Sequence, residues 1–360
     1  MSGPAGYCAS VTTDAADLSL LARAALDAVA QATRVTRAVQ SRLRREDRIT
    51  KSDASPVTIA DFAAQAVVSR VLRERLGAFV LIAEESSQMI RGAEDAPVRA
   101  AIHEAARAGW PDARLDEVID AIDLGAPAAR DGDDRPRSFW TLDPIDGTKG
   151  FIRGNHYSVC LAYIHEGTPV VAALSCPNLS ADLARPLDDA DPHGTLFMAT
   201  RDDPTTARPA DEPEALGRPL AQRSAVDPRA AVTFCQSWEY SHSDTNLPAR
   251  IMAVLARDGT QFREPARIDS QCKYAVVARG QADVFIRRPR EAGYIDKIWD
   301  HAPGALVASR AGCVVSDLHG RPLDFGLGSG LQANQGILVS PPGMHERVLG
   351  ALRELSEIRL

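Results

Sequence analysis

The sequence feature that most constrains the fold is the run DPIDGTKG at residues 143–150, which follows the apolar stretch FWTL at residues 139–142. The apolar stretch predicts a strand, and the proline and glycine after it predict a turn. Pro144 fixes its own φ and biases Asp143 towards an extended backbone, while Gly147 can turn sharply because it has no Cβ. The sequence therefore predicts a rigid elbow that displays acidic side chains.

The predicted elbow presents only oxygen ligands: the carboxylates of Asp143 and Asp146, the backbone carbonyl of Ile145 and the hydroxyl of Thr148. Such ligands suit Mg²⁺ and other hard cations, whereas zinc prefers nitrogen and sulfur. An acidic surface turn that is stabilised by side-chain to backbone hydrogen bonds is the alternative. Both interpretations stay open for the elbow taken alone.

Acidic residues also occur at two other places. Glu84 and Glu85 end the apolar run at residues 79–83. Because side chains alternate between the faces of a strand, only one of the two can face a given site, and solvated acids at a strand end are the alternative. Asp300 precedes an apolar segment and fits a helix N-terminus, where an acid is favoured whether or not it binds anything. His301 is interpreted as an orienting or packing residue, because no Cys/His spacing supports zinc.

Together, these positions resemble the inositol monophosphatase-like, magnesium-dependent phosphatase superfamily, over roughly residues 51–340. The DPIDGT elbow and the later WDHA at residues 299–302 carry this resemblance. The 3'(2'),5'-bisphosphate nucleotidase branch, whose enzymes remove the 3'-phosphate from 3'-phosphoadenosine 5'-phosphate, is the branch that the chain resembles. The stretches that carry this second resemblance are SPVTIADFAAQ at 55–65, KGFIRG at 149–154, DSQCKY at 269–274 and KIWDHA at 297–302.

The resemblance implies a role for each matched residue. Two or three Mg²⁺ ions, as in multi-metal hydrolase sites, would be held by Glu84, Asp143, the Ile145 carbonyl, Asp146 and Asp300. Asp61 and Thr148 would orient and deprotonate the attacking water. The residues that would contact the nucleotide are Thr148, His242, Ser270, Lys273, Arg287 and Asp300.

Charge repulsion supports the metal interpretation, because four carboxylates within one pocket would repel one another severely unless divalent cations are bound. Asp61 has a second interpretation: with Thr58 it matches a helix capping box in which Asp replaces Glu at the third helical position. The two roles can coexist, since a carboxylate at a helix start can also accept a hydrogen bond from the Thr148 hydroxyl.

Composition agrees with a soluble enzyme. With 360 residues, 45% of them hydrophobic, the chain can bury a sizeable core and is expected to form two domains. A net charge of −7 argues against a nucleic-acid polymer as partner. Six cysteines without CxxC spacing predict buried free thiols in a reducing compartment, and hence a cytoplasmic protein. Neither secretion nor membrane spanning is expected, and no oligomeric state is indicated.

The expected architecture is α/β. An α+β domain at residues 17–200 carries most of the proposed metal ligands, and a linker or exposed loop covers 201–228. An α/β domain at 229–360 carries the nucleotide-binding residues and the last metal ligand. The resemblance implies layered α/β/α/β/α packing. Periodicity predicts helices near 18–39 and 59–76, and strands at 79–83, 139–142, 157–164, 169–175 and 195–199, with a hairpin turn at 165–168. The insert at 88–138 is interpreted as an addition to the domain edge, with a lid as the alternative.

The expected function is Mg²⁺-dependent hydrolysis of 3'-phosphoadenosine 5'-phosphate to AMP and phosphate. The resemblance also implies activity on 3'-phosphoadenylyl sulfate and inhibition by Li⁺. An inositol phosphate or sugar bisphosphate is an alternative substrate, because the superfamily shares one metal core. A non-catalytic metal- and anion-binding scaffold is a more distant alternative. Thr148 and Asp61 argue against it, since a binder needs no pair that activates water.

Overall fold

The computed structural model describes residues 15–42, 48–50, 56–92, 95–125, 136–224, 230–238, 246–289, 291 and 293–357. The helices in this part of the chain are α1 (Ala15–Gln40), α2 (Ile59–Leu76), α3 (Ala96–Ala106), α4 (Leu115–Asp123), α5 (Thr148–Arg153), α6 (Asn246–Ala256), α7 (Cys272–Ala278), α8 (Ala302–Arg310) and α9 (Pro342–Glu357). Within the described residues, no helix is both long and apolar enough to cross a membrane.

The strands form one small ribbon and two larger sheets. The ribbon pairs β1 (Arg48–Thr50) with β2 (Pro56–Thr58). A seven-stranded sheet follows the order of the chain and consists of β3 (Leu81–Ala83), β4 (Ser138–Asp146), β5 (Ser158–His165), β6 (Thr168–Cys176), β7 (Thr195–Thr200), β8 (Thr206–Pro209) and β9 (Arg218–Pro219). Its strands are antiparallel, except that β3 and β4 run parallel.

The second sheet has five strands and a mixed topology. Its strands are β10 (Phe234–Gln236), β11 (Ala266–Arg267), β12 (Val284–Arg287), β13 (Val314–Ser316) and β14 (Ile337–Ser340). They lie in the order β11-β10-β12-β14-β13. Strand β10 pairs in parallel with β11 and with β12, whereas β14 pairs antiparallel with β12 and with β13.

The packing has five layers. Helices α1 and α2 cover one face of the seven-stranded sheet, and α7 and α8 lie between the two sheets. Helices α6 and α9 cover the outer face of the five-stranded sheet. Strand β5 shows why both faces of the first sheet are apolar: Val159 and Leu161 pack towards α1 and α2, while Cys160 and Ala162 pack towards α7 and α8. The predicted α/β/α/β/α layering is confirmed.

The structure differs from the prediction in the segment 201–228. This segment was expected to be a linker or exposed loop, yet it contributes β8 and β9 to the edge of the seven-stranded sheet. Both strands are short and at most half-buried, and both end in a proline. Edge strands of this kind bury little, so they lack the apolar alternation by which a sequence reveals a strand.

Two further predictions can be compared with the structure. Helices α3 and α4 pack on α2 in an apolar cluster of their own, in agreement with an insert that extends the domain edge. The five cysteines of the described residues, Cys160, Cys176, Cys235, Cys272 and Cys313, are buried free thiols. Cys8 lies outside the described residues.

A tight contact between α7 and α8 provides a test of the layered packing. A Cβ on Gly304 would lie 2.4 Å from Cδ2 of Tyr274, which is a fully buried ring. We expect Gly304→Ala to lower the free energy of unfolding by about 1–3 kcal/mol, because the ring has no room to move. Gly350→Ala is the control, since no atom lies within 4 Å of its Cβ position in α9. This control should leave the Tm unchanged or raise it, and an unchanged Tm for Gly304→Ala would contradict the described packing.

Candidate active site

The elbow predicted from the sequence is present at the end of β4. Gly147 has a φ of 87°, in the left-handed region that favours glycine, and it begins α5. Asp143 Oδ1 accepts a hydrogen bond from the Ile145 backbone N–H at 3.0 Å. The Thr148 hydroxyl donates to the Ile145 carbonyl at 3.2 Å. Both hydrogen bonds join residues of the turn itself, so they stabilise it without contacts from the rest of the chain.

Four elements bring acidic side chains to this elbow. Asp61 is at the start of α2, Glu84 follows β3, Asp143 and Asp146 end β4, and Asp300 lies just before α8. The charges of the other four act on Asp143. Asp61 and Asp143 are buried, whereas Glu84, Asp146 and Asp300 are half-buried. The structure therefore brings together the acidic residues that the sequence singled out.

Burial and mutual repulsion change the acidity of three of these groups. Burial raises the pKa of Asp143 well above its ordinary value, and the charges of Glu84, Asp146 and Asp300 add to the rise. Burial also raises the pKa of Asp300 to about 8, with Asp146 and Glu84 adding to it. Burial raises the pKa of Asp146 to about 6 only, because the Lys273 ammonium opposes the effect. The cluster is thus short of positive charge.

The donor set fits a hard divalent cation in chemistry and in charge, since it consists of carboxylates that repel one another. Among the described residues, no three His, Cys, Asp or Glu side chains converge closely enough to hold a metal ion as they stand. Asp146 Oδ2 accepts hydrogen bonds from the backbone N–H of Gln271 and, at 3.3 Å, from the hydroxyl of Ser158.

The stretch at residues 269–274 lies directly against the elbow. A Cβ on Gly147 would lie 2.9 Å from Cβ of Ser270. Ser270 itself has a φ of 65°, which is uncommon for a residue with a side chain, and its hydroxyl accepts from the Cys272 backbone N–H at 3.2 Å. The strained backbone aims the next N–H, that of Gln271, at Asp146. The second half of the chain is therefore anchored on the acidic cluster.

Gln271 is a site residue to which the sequence analysis gave no role. Its side-chain amide donates to the Trp299 carbonyl at 2.8 Å and accepts from the Gly304 backbone N–H at 2.8 Å. The buried amide thus ties the 269–274 stretch to the segment that carries Asp300. Its place inside the DSQCKY stretch was the available signal, but its partners lie about 30 residues further along the chain.

The two predicted cations of the nucleotide site are held differently. Lys273 Nζ donates to the Ser237 hydroxyl at 3.1 Å. Burial raises the pKa of Asp146, and the charge of Lys273 limits that rise. Arg287 Nε donates to Asp296 Oδ1 at 2.7 Å in an ion pair whose arginine is half-buried and whose carboxylate is buried. Burial would lower the pKa of Arg287, but the negative charges of Asp296 and Asp300 outweigh it and raise that pKa.

Asp296 was not singled out from the sequence either. Burial alone would raise its pKa, but His301 and Arg287 lower it to about 2. His301 Nδ1 lies 2.8 Å from the Tyr274 hydroxyl. His301 is thus buried between Asp296 and Tyr274, and its interpretation as an orienting or packing residue stays a prediction. His242, the remaining predicted site residue, and the side chain of Thr58 lie outside the described residues.

Comparisons with known proteins cover nearly the whole chain. A model of the inositol monophosphatase family matches residues 17–357. The 3'(2'),5'-bisphosphate nucleotidase of Schizosaccharomyces pombe is 36% identical over 342 residues, which cover 91% of this chain and 93% of the relative. The 3',5'-bisphosphate nucleotidase 2 of Arabidopsis thaliana is 36% identical over 347 residues, with 93% and 96% covered.

Solved structures show the same fold at lower identity. The extragenic suppressor protein suhB from Bartonella henselae superposes with a TM-score of 0.60 at 17% identity, covering 94% of this chain and 99% of the other. CysQ from Bacteroides thetaiotaomicron superposes with a TM-score of 0.55 at 20% identity, covering 89% and 97%. At these identities, the similarity concerns the fold alone.

Proposed function

Because the chain belongs to the inositol monophosphatase family, we propose that it is a 3'(2'),5'-bisphosphate nucleotidase that hydrolyses 3'-phosphoadenosine 5'-phosphate to AMP and phosphate. The observation that carries the proposal is the hydrogen bond from the Gln271 N–H to Asp146. It joins a cluster of carboxylates to a segment whose next residues include Lys273, so that a site for cations adjoins a site for anions. The names of the relatives, at 36% identity, support the same substrate class.

The proposed cofactor is Mg²⁺, in two or three copies as in other multi-metal hydrolase sites. Glu84, Asp143, Asp146, Asp300 and the Ile145 carbonyl would hold it. Bound Mg²⁺ would neutralise the carboxylates and polarise the phosphate oxygens. The observation that supports this role is that burial, together with repulsion between the carboxylates, raises the pKa of Asp143 and Asp300.

The remaining residues are proposed to position water and substrate. Thr148 and Asp61 would orient the attacking water, and Asp61 would accept its proton. The Thr148 hydroxyl lies at the turn between the two elbow acids and α5, where the Ile145 carbonyl already fixes its direction. Lys273, Arg287, Ser270 and His242 would contact the nucleotide. We further propose that the enzyme acts in a reducing compartment, the cytoplasm, in line with its buried free thiols.

Lys273 provides a test of the nucleotide site. We expect Lys273→Ala to raise KM for 3'-phosphoadenosine 5'-phosphate by about tenfold or more, because a charge-assisted contact is lost. The KM for inositol 1-phosphate should change much less. Steady-state kinetics on both substrates measure the difference. The control is Arg257→Ala, which removes an exposed cation paired with Glu354 on the outer layer, and an equal rise in KM for both substrates would contradict the proposed contact.

A further inference from the structure

An exposed indole lies beside the proposed nucleotide site. Trp238 follows β10, and 46% of its surface is exposed, although large aromatic side chains are usually more buried. It is one of the few large apolar side chains of the described residues that are exposed to this extent. A single exposed aromatic residue is common on protein surfaces and does not indicate a function. Its position relative to the proposed nucleotide site is therefore the relevant observation.

Three hydrogen bonds connect the backbone that carries this ring to the residues beside the elbow. The Trp238 backbone N–H donates to Asp269 Oδ1 at 3.0 Å, and Asp269 Oδ2 accepts from Arg153 at the end of α5 at 3.0 Å. The preceding residue, Ser237, accepts from Lys273 Nζ at 3.1 Å. Asp269 directly precedes Ser270, which contacts Gly147. The backbone at Trp238 is therefore held by the same residues that adjoin the acidic cluster.

The ring has a cationic neighbour. The Arg267 guanidinium lies over the indole, 5.8 Å from the ring centroid. A cation over an aromatic face attracts the ring and adds positive charge near an anionic ligand. The exposed part of the ring remains open to a flat partner. Aromatic rings that bind nucleotides use such an open face, because every base presents a π-face to stack on.

We propose that Trp238 stacks on the base of the nucleotide and makes the enzyme select nucleotide 3'-phosphates over phosphates without a base. The proposal rests on the proposed function and names the residue that gives it specificity. Arg267 would support the ring from behind, and Lys273, through Ser237, would set its distance from the phosphate-binding side. An inositol phosphate has no aromatic ring and would gain nothing from this contact.

The test compares two substrates that differ only in the base. Steady-state kinetics are measured on 3'-phosphoadenosine 5'-phosphate and on ribose 3,5-bisphosphate for the wild type, Trp238→Ala and Trp238→Phe. We expect Trp238→Ala to raise KM for the nucleotide by roughly 5- to 100-fold, and to leave its kcat and the KM for ribose 3,5-bisphosphate unchanged. Trp238→Phe should restore most of the nucleotide affinity, because phenylalanine keeps a stacking face.

Trp110 provides a matched control, because it is a described tryptophan away from the site whose ring also lies under an arginine. Trp110 has the Arg70 guanidinium 5.5 Å from its ring centroid, and Trp110→Ala should leave both KM values unchanged. Binding of AMP, followed by quenching of tryptophan fluorescence, gives a readout without turnover. The quenching should be strong in the wild type and in a Trp110→Phe variant, and weak in Trp238→Phe.

The outcomes separate the two proposals. Equal KM changes for both substrates, or a Trp238→Ala enzyme with an unchanged KM for the nucleotide, would overturn the stacking role and leave the nucleotidase function standing. A wild type with the same kcat/KM for both substrates would likewise overturn the stacking role alone. A wild type that hydrolyses neither substrate would overturn the proposed function and the stacking role with it.

Discussion

Asp146→Asn is expected to lower kcat for 3'-phosphoadenosine 5'-phosphate by about 10²- to 10⁴-fold in the presence of Mg²⁺. Asp146 is the carboxylate at which the elbow and the 269–274 stretch meet, through the Gln271 N–H. Asparagine has the same shape and keeps an oxygen that can accept this hydrogen bond. What it removes is the negative charge that would face a divalent cation, so turnover should fall while the fold remains.

The measurement pairs kcat at saturating Mg²⁺ with the Tm of the same preparation. Asp258→Asn is the control, since Asp258 is exposed just after α6, the helix that covers the outer face of the five-stranded sheet. This control should keep the wild-type kcat. A folded Asp146→Asn enzyme with nearly normal turnover would remove the basis for metal-dependent catalysis at this cluster.

Asp300→Asn is expected to abolish most of the activity and, in the absence of divalent cations, to raise the Tm by a few degrees. Burial and the charges of Asp146 and Glu84 raise the pKa of Asp300 from 3.8 to about 8. The folded state therefore binds the proton more tightly than the unfolded state does. As the pH rises above about 4, the ionised carboxylate costs stability, and the cost grows until the pH reaches about 8. A neutral asparagine avoids this cost.

Thermal unfolding in EDTA and in Mg²⁺, at pH 8 and at pH 4, tests whether the ionised Asp300 carboxylate lowers stability when no cation is bound. At pH 8 in EDTA, the variant should be more stable than the wild type, and at pH 4 the difference should vanish. Mg²⁺ should raise the Tm of the wild type more than that of the variant, because binding to the folded state stabilises it. An Asp300→Asn protein that is less stable in EDTA at pH 8 would show that the carboxylate is not repelled by its neighbours.

The sequence predicted the structural features that depend on neighbouring residues in the chain. The boundaries of α2 at residues 59–76 and the left-handed Gly147 follow from apolar periodicity and from proline and glycine chemistry, and the structure confirms both. The contacts that complete the site join residues that are separated in the sequence. Gln271 bonds to Asp146, 125 residues away, and the pairing of Arg287 with Asp296 depends on how the chain folds back after β12. Periodicity contains no information about such partners.

The lack of a periodic signal also explains why the sequence did not reveal strands β8 and β9 or the exposed Trp238. Strands β8 and β9 bury little and so left no apolar alternation to detect. The exposed indole of Trp238 carries no periodic signal either, since its position depends on Asp269 and Ser237. The acidic residues were recognisable because carboxylates gather in a fold only where a cation or a proton offsets their repulsion.

Metal-dependent nucleotidase activity is tested by measuring phosphate release from 3'-phosphoadenosine 5'-phosphate beside inositol 1-phosphate and fructose 1,6-bisphosphate under identical conditions, with Mg²⁺ and with EDTA. We expect rapid release from the nucleotide, much slower release from the other two substrates, and no release in EDTA. Preference for the inositol or sugar phosphate would contradict the nucleotide site of Ser270, Lys273 and Arg287. Release that continues in EDTA, or no release from any of the three, would contradict the proposed metal-dependent catalysis itself.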